Sequence, residues 1–310
     1  MNSSKSGRTI RIATRQSQLA LWQANYIADL LRRETDEFDV ELVPLSTIGD
    51  RDRTEPLRNM GGQGVFTREV QRAVLDESAD IAVHSLKDLP TDTADGLALA
   101  GVPERASRFD ALLMPQGAAV SGLDELPEKA RIGTGSPRRQ AQILAQYPEF
   151  ELCEIRGNVE TRIRKLDDGE FDAVILAEAG LRRLGLEDRI GAILRPPVMY
   201  PAVGQAALGL ECRDSDKPVI ELLQSITNDE ALAEVTCERA CLATLRAGCH
   251  APVGIHCVVE NDQIEATAVV LSPDGRERFE ASVSGSSGDA LTLGRKLAET
   301  LIAGGAEKVL

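Results

Sequence analysis

The chain has 310 residues, of which 43% are hydrophobic and 27% charged, so its composition excludes a disordered tail protein and a fibrous repeat. The length predicts about two domains. Acidic residues outnumber basic ones by 49 to 35, and the net charge of −14 argues against nucleic-acid binding, which requires a basic face. The sequence shows neither a membrane-spanning apolar run nor a secretory signal, and we therefore expect a cytoplasmic protein.

The six cysteines are too scattered to form a disulfide framework, which favours a reducing compartment and small buried side chains. A zinc site is a weaker alternative, because no C-x-x-C pair supports it. It would use Cys237, Cys241, Cys249 and His250. Few lysines and many carboxylates also suggest a high-salt cytoplasm as a hypothesis, against that of a merely acidic enzyme. Activity measured in molar KCl would separate the two.

The first part of the chain alternates strand-like runs with helical patterns, which predicts βαβ units around mostly parallel sheets. A glycine-rich segment, residues 47–66, has the length of a functional mobile loop. Strands are predicted at 8–14, 40–45 and 80–85, and helices at 16–32 and 67–77.

A second βα series begins near Phe109. Ser136 and Asn158 are predicted N-caps, and Pro137 suits the first position of a helix. The segment 196–212 is predicted to carry the chain back into the first domain. Strands are predicted at 131–135, 151–155 and 171–177, with a helix at 159–166.

The pattern changes near Asn228, where a long helix precedes three strands joined by hairpin signals. This part is predicted to be a small antiparallel α+β domain. Its helices are predicted at 229–245 and 289–303, and its strands at 253–259, 263–271 and 276–283.

Arginine pairs follow three successive predicted strands of the second series. The first pair lies in the first turn of a helix, where the macrodipole disfavours cations unless an anion docks there. This placement predicts a cleft that binds carboxylates or phosphates, the alternative being a solvated basic face. The pairs are Arg138 and Arg139, Arg156 and Arg162, and Arg182 and Arg183.

Two further segments carry chemistry. Lys87 and Asp88 directly follow the strand at 80–85, and ligands bind at the carboxyl ends of strands in open α/β sheets. Asp88 could stabilise a cation or transfer a proton, whereas a surface ion pair is the alternative. Cys249 lies beside Gly248, so an exposed thiolate could meet a ligand closely, whereas a buried inert cysteine is the alternative.

Eight ordered segments resemble those of the porphobilinogen deaminases, and the resemblance covers nearly the whole chain from about Arg11. They are IATRQSQLALWQA, GGQGVFTREV, DIAVHSLKDLP, GTGSPRRQ, RGNVETRIRKLD, LAEAGLRRLG, PAVGQAALGLECR and GCHAPVG. The resemblance implies an α/β fold of two periplasmic-binding-protein-like βα domains with a cleft between them, plus a small C-terminal α+β domain. The expected domains are 1–104 with 202–226, then 105–201, then 227–310.

The resemblance also implies a transferase of tetrapyrrole synthesis. Such an enzyme condenses four porphobilinogen molecules head to tail with loss of ammonia, and then releases 1-hydroxymethylbilane by hydrolysis. A dipyrromethane cofactor, attached covalently to Cys249, primes the reaction, and no metal is required. The partners expected are porphobilinogen alone, with no nucleic acid and no membrane, and the protein is expected to be a monomer. An anion-binding module and a phosphate-handling enzyme are the rival interpretations.

The resemblance assigns roles residue by residue. Asp88 and Lys87 would be catalytic, with Asp88 stabilising the azafulvene cation that forms when porphobilinogen loses ammonia. Substrate contacts are expected from Arg15, Ser17, Arg156, Arg162 and Arg183. Cofactor contacts are expected from Lys87, Asp88, Thr134, Ser136, Arg138, Arg139, Arg156, Arg162 and Arg183, besides the covalent bond to Cys249.

The chain also departs from the family pattern. Asn59 and Gln63 stand where relatives often have lysines, and Arg58 could replace one lost cation. Gly135 replaces a serine and Pro137 a leucine, so one hydroxyl contact is expected to be missing. Glu160 and Glu178 could orient the nearby guanidiniums.

Overall fold

The computed structural model describes residues 8–35, 38–46, 67–118, 120–248 and 251–310. The chain divides into two compact units. Unit 1 comprises Met1–Arg105 and Ala207–Leu232, and unit 2 comprises Ala106–Ala206 and Ala233–Leu310. The predicted loop 47–66, with Arg58, Asn59 and Gln63, lies outside the described residues, as do Cys249 and His250.

The described strands and helices follow the alternation that the sequence predicts. The strands are β1 (Thr9–Arg15), β2 (Asp39–Leu45), β3 (Ile81–Ser85), β4 (Leu97–Gly101), β5 (Asp110–Leu113), β6 (Arg131–Gly133), β7 (Glu151–Cys153), β8 (Ala173–Ala177), β9 (Ala192–Leu194), β10 (Leu208–Arg213), β11 (Val253–Glu260), β12 (Gln263–Leu271) and β13 (Arg278–Ser286). The helices are α1 (Gln18–Glu34), α2 (Arg68–Leu75), α3 (Pro137–Leu144), α4 (Val159–Asp167), α5 (Glu178–Arg183), α6 (Lys217–Ser225), α7 (Asp229–Thr244) and α8 (Ala290–Ala303).

Unit 1 is a mixed five-stranded sheet in the order β2-β1-β3-β10-β4. The first three strands are parallel, and β10 runs antiparallel to both of its neighbours. Ile27 and Leu31 of α1 pack on one face and Val70 and Val74 of α2 on the other. The insertion of β10 confirms that the segment following β9 returns the chain to the first sheet.

Unit 2 contains a second five-stranded sheet, ordered β7-β6-β8-β5-β9, that repeats this arrangement. Strands β7, β6 and β8 are parallel, and β5 runs antiparallel to β8 and β9. Residues 173–176 of β8 are buried on both faces, as its continuous apolar run predicts. The α/β class predicted for both sheets is therefore confirmed.

The rest of unit 2 is the predicted α+β part, an antiparallel sheet β11-β12-β13 that shares a core with α7 and α8. Asn261 and Asp262 both have positive φ, as a two-residue hairpin turn requires. The second turn, at Gly275, packs against the C-terminal end of α3 of the βα part, within the same unit. No helix in the described part of the chain is long and apolar enough to cross a membrane.

Candidate active site

A cavity of about 110 Å³ lies in unit 1, bordered by the carboxyl ends of β1 and β3. Four of its lining residues are those that the sequence predicts: Arg15, Ser17, Lys87 and Asp88. These residues lie close together because β1 and β3 pair in parallel, which places both carboxyl ends at one edge of the sheet. Four other polar residues of the lining were not predicted from the sequence, namely Gln23, Thr67, His84 and Ser85.

The N-termini of two helices border this cavity. Ser17 caps α1, with its Oγ accepting a hydrogen bond from the backbone N–H of Ala20 at 3.3 Å. Thr67 occupies the equivalent position of α2, but its hydroxyl makes no capping hydrogen bond. Both helix ends are electropositive and both lie near Arg15 and Lys87 at the cavity wall, so the cavity suits an anionic group.

Lys87 and Asp88 are held by a single 3₁₀ turn, Leu86–Asp88, directly after β3. Leu86 anchors this turn, since its side chain is buried and its N–H donates to the carbonyl oxygen of Ala207 at 3.0 Å. The Asp88 side chain is half-buried, and the described residues offer its carboxylate no hydrogen bond. The turn therefore fixes Asp88 at the cavity while its oxygens stay available to a ligand.

Two residues of β3 that precede the turn Leu86–Asp88 form polar pairs with other elements. The Gln23 amide of α1 donates to Oγ of Ser85 at 2.9 Å. On the opposite face of the sheet, Nε2 of His84 lies 2.9 Å from Oε2 of Glu211. This contact does not have the alignment of a well-formed hydrogen bond, and Nε2 has no other hydrogen-bond partner among the described residues. The sequence carried a signal for this pair, since a histidine and a glutamate each stand within an apolar strand, and buried polar groups need partners.

Unit 2 places the remaining predicted residues along one edge of its sheet. Strands β6, β7 and β8 are parallel, so the segments that follow them emerge together. Thr134 and Ser136 follow β6, Arg156 and Arg162 follow β7, and Arg183 follows β8 within α5.

Local contacts fix several of these groups. The Thr134 N–H donates to the Cys153 carbonyl oxygen at 2.9 Å, which ties the turn after β6 to β7. Ser136 is the N-cap of α3, as predicted, but its hydroxyl makes no capping hydrogen bond. Arg162 donates through Nε to the Gly157 carbonyl oxygen at 2.8 Å, and Arg183 donates through Nη2 to that of Ala206 at 2.6 Å.

Arg138 and Arg139 lie in the first turn of α3, as predicted, but both are buried against Asp110. Nη1 of Arg138 donates to Oδ2 of Asp110 at 2.8 Å, and Nη2 of Arg139 donates to Oδ1 at 2.6 Å. The protein therefore supplies one carboxylate to two guanidiniums, and the binding of a ligand anion by this pair stays a prediction. The role of Asp110 was not predicted. An acidic residue at the start of a buried strand such as β5 does indicate that its charge is paired.

The two glutamates singled out in the sequence behave differently from each other. Glu178 accepts from Nε of Arg182 at 2.7 Å and also from the Ser107 hydroxyl, so it orients Arg182 rather than Arg183. Oε1 of Glu160 is buried and has no hydrogen-bond partner among the described residues.

The family profile described as "Porphobilinogen deaminase, dipyromethane cofactor binding domain" matches residues 10–221. A second, described as "Porphobilinogen deaminase, C-terminal domain", matches residues 232–303. The chain belongs to the porphobilinogen deaminase family. It is a transferase of tetrapyrrole synthesis that uses a dipyrromethane cofactor, and the family's reaction joins four porphobilinogens into 1-hydroxymethylbilane with loss of ammonia.

Solved structures give distant likenesses. The VFT2 domain of Bordetella pertussis BvgS is 14% identical over 73% of this chain and 91% of that chain, with a TM-score of 0.42. The BenM effector-binding domain with benzoate is 14% identical over 71% and 91%, with a TM-score of 0.43. A substrate-binding domain of a putative amino acid ABC transporter from Streptococcus pneumoniae is 12% identical over 70% and 90%, with a TM-score of 0.44.

Proposed function

We propose that the two sets of residues found in units 1 and 2 bind the carboxylates of the dipyrromethane cofactor and of porphobilinogen. The observation that carries this proposal is the cavity of unit 1, which is lined by Arg15, Lys87, Asp88 and the N-cap residues of two helices. Each pyrrole unit carries an acetate and a propionate, so such a ligand needs several cationic and hydrogen-bonding groups.

The residues present fit the cofactor. In unit 2, two guanidiniums share one buried carboxylate, and Nε of Arg138 is buried without a partner among the described residues. This leaves a surplus positive charge and an unused donor for a carboxylate. We assign the cofactor to Thr134, Ser136, Arg138, Arg139, Arg156, Arg162, Arg183, Lys87 and Asp88.

Cys249 is the proposed attachment residue. Cys212, Cys241 and Cys257 are buried and Cys153 is half-buried; burial raises the pKa of Cys212 to about 11 and raises that of Cys153 and Cys241 as well. Such thiols are poor nucleophiles at neutral pH, because the thiolate is the reactive form. When bound, the cofactor supplies the free pyrrole carbon to which substrate is added.

Arg15 and Ser17 are the proposed substrate contacts in unit 1, with Arg156, Arg162 and Arg183 in unit 2. Asp88 would face the pyrrole N–H groups and stabilise the positive charge that develops on porphobilinogen as ammonia leaves. It would also accept and return a proton at its carboxylate oxygens, which the described residues leave unpaired. Lys87 would hold a substrate carboxylate beside it.

The broader organisation follows the same proposal. We assign the first domain to 1–104 with 202–226, the second to 105–201, and the third to 227–310. The protein would act as a cytoplasmic monomer that binds no nucleic acid, in keeping with its net charge of −14.

The experiment compares Asp88→Asn with Asp92→Asn, an exposed position four residues along the chain. Asp88→Asn should keep the unfolding temperature of the unsubstituted protein and lose about 100-fold or more in porphobilinogen turnover, because it removes a charge stabiliser. Asp92→Asn should keep both. Near-normal turnover by folded Asp88→Asn protein would overturn the assigned role.

A further inference from the structure

The buried carboxylate of Asp110 forms hydrogen bonds with side chains from two other parts of unit 2. It opens β5 and is completely buried. Its Oδ1 accepts from Nε of Arg139 at 3.0 Å, from Nη2 of Arg139 at 2.6 Å and from the Gln205 amide at 3.0 Å. Its Oδ2 accepts from Nη1 of Arg138 at 2.8 Å. One carboxylate thus connects β5, the first turn of α3 and the segment before β10.

The two arginines are used differently. All three nitrogens of Arg139 are engaged, because its Nη1 also donates to the Ile175 carbonyl oxygen at 2.8 Å. Among the described residues, Arg138 is held through Nη1, which contacts Asp110 and also the Tyr200 carbonyl oxygen at 2.6 Å. Its Nε is buried and has no hydrogen-bond partner among the described residues. Every nitrogen of Arg139 therefore has a partner within the protein, whereas Nε of Arg138 has none among the described residues.

The net charge of Asp110, Arg138 and Arg139 also favours an anionic ligand. Although its burial alone would raise the pKa of Asp110, the guanidiniums of Arg138 and Arg139 lower that pKa far below the ordinary range. The carboxylate is therefore ionised at neutral pH, and two cations against one anion leave a net charge of +1. This charge lies at the N-terminus of α3, where the helix dipole adds to it. An anion is the natural occupant.

We propose that Asp110 is a positioning residue of the deaminase reaction. It holds the guanidinium of Arg138, braced by Arg139, in the orientation that receives a carboxylate of the cofactor. The inference deepens the proposed function and rests on Arg138 being a cofactor contact. Asp110 itself is fully buried and touches no ligand.

The test compares Asp110→Asn with Asp80→Asn in the full-length protein purified with its cofactor. Asp80 is a matched control, because it too is a buried carboxylate shared by arginines. Its partners are Arg8, Arg11 and Arg213, and it lies at the amino end of β3, away from the turn that carries Asp88.

Cofactor occupancy is read from intact mass, KM for porphobilinogen from initial rates, and the folded fraction from circular dichroism. Per folded molecule, Asp110→Asn should lower occupancy or raise KM by about tenfold to 100-fold, because the ligand-positioning group is misplaced. Asp80→Asn should lower stability but change neither readout. Equal losses in both variants, in proportion to unfolding, would overturn the proposal.

Two further variants keep the test decisive. If Asp110→Asn fails to fold, Asp110→Glu retains the charge but displaces it, and should fold with reduced occupancy; full occupancy would overturn the proposal. In an Arg138→Lys background, Asp110→Asn should add no further loss, because the two residues act as one unit. An additive loss would contradict action through Arg138. Absence of cofactor and turnover in the unsubstituted protein would instead refute the proposed function.

Discussion

Nε2 of His84 lies 2.9 Å from Oε2 of Glu211, across the antiparallel pair of β3 and β10. Both side chains are almost completely buried, and the Gln71 amide of α2 donates to the same carboxylate oxygen at 2.9 Å. Glu211 therefore ties β10, which returns from the far end of the sequence, to the strand that leads into Lys87 and Asp88.

Glu211→Ala should lower the free energy of unfolding by about 1–3 kcal/mol, because it leaves the Gln71 amide without its acceptor and the buried His84 ring without its neighbour. Urea denaturation measures the change. Glu221→Gln, at an exposed position of α6, is the control and should stay within about 0.5 kcal/mol. Equal effects of the two substitutions would show that the pair is not stabilising.

Gly275→Ala should be far more destabilising than Gly169→Ala. Both glycines have positive φ, but a Cβ at Gly275 would lie 2.5 Å from the backbone N of Ala145, whereas one at Gly169 meets nothing within 4 Å. Backbone strain alone costs about 1–2 kcal/mol, which sets the expected loss for Gly169→Ala. Because α3 must shift, Gly275→Ala should also reduce turnover. Matching unfolding temperatures for the two variants would refute this contact.

Thr67→Val should leave stability unchanged or raise it. The Thr67 hydroxyl is buried and has no partner among the described residues, so its removal relieves an unpaired polar group. Thr14→Val is the matched control, since the Thr14 hydroxyl is equally buried but donates to the Ala20 carbonyl oxygen at 3.1 Å. That variant should lose about 1 kcal/mol. Thermal unfolding in which Thr67→Val is the weaker variant would contradict the assignment.

Asp80 should make the protein sensitive to acid. Although its burial alone would raise the pKa of Asp80, hydrogen bonds from Arg11, Arg8 and Arg213 lower it overall. A carboxyl group with a lowered folded-state pKa stabilises the protein above its unfolded pKa of about 3.9, and this stabilisation is lost as the pH falls below that value. The unfolding free energies of the unsubstituted protein and of Asp80→Asn should therefore converge below about pH 4. Curves that stay parallel in urea titrations at each pH would contradict this.

Much of the fold follows from local patterns. Ser136, Pro137 and Asn158 begin their helices as predicted, and β12 has the predicted bounds. Strands β4 and β9 were missed, because both lie at sheet edges and are rich in alanine and leucine, which indicate a strand less than β-branched residues do. Helices α5 and α6 were missed as well. The helical run of α5 is short, whereas α6 carries two signals of a helix start, the N-cap Asp216 and a proline in the first turn, from which it could have been predicted.

Some residues of the candidate site could be predicted from the sequence and others could not. Lys87 was identifiable because it follows a strand, and strand ends in a parallel pair share an edge, whereas Arg15 was expected only from the resemblance to the family. Gln23 was not identifiable, because a polar residue within a helix carries no local sign that it faces a cavity, and Thr67 was predicted only as the start of a helix. The pairing of Asp110 with Arg138 joins positions 28 residues apart in sequence, which only the folded sheet reveals.

The central claim is that a dipyrromethane cofactor is attached to Cys249 and primes the reaction. The most direct measurement is the intact mass of the purified protein, followed by mapping of the tryptic peptide that begins at Ala247, with Cys249→Ala as the control. We predict a mass excess of two linked pyrrole units on that peptide, and a bare polypeptide for Cys249→Ala. A bare mass for the unsubstituted protein even after incubation with porphobilinogen, or an excess that persists in Cys249→Ala, would contradict the account.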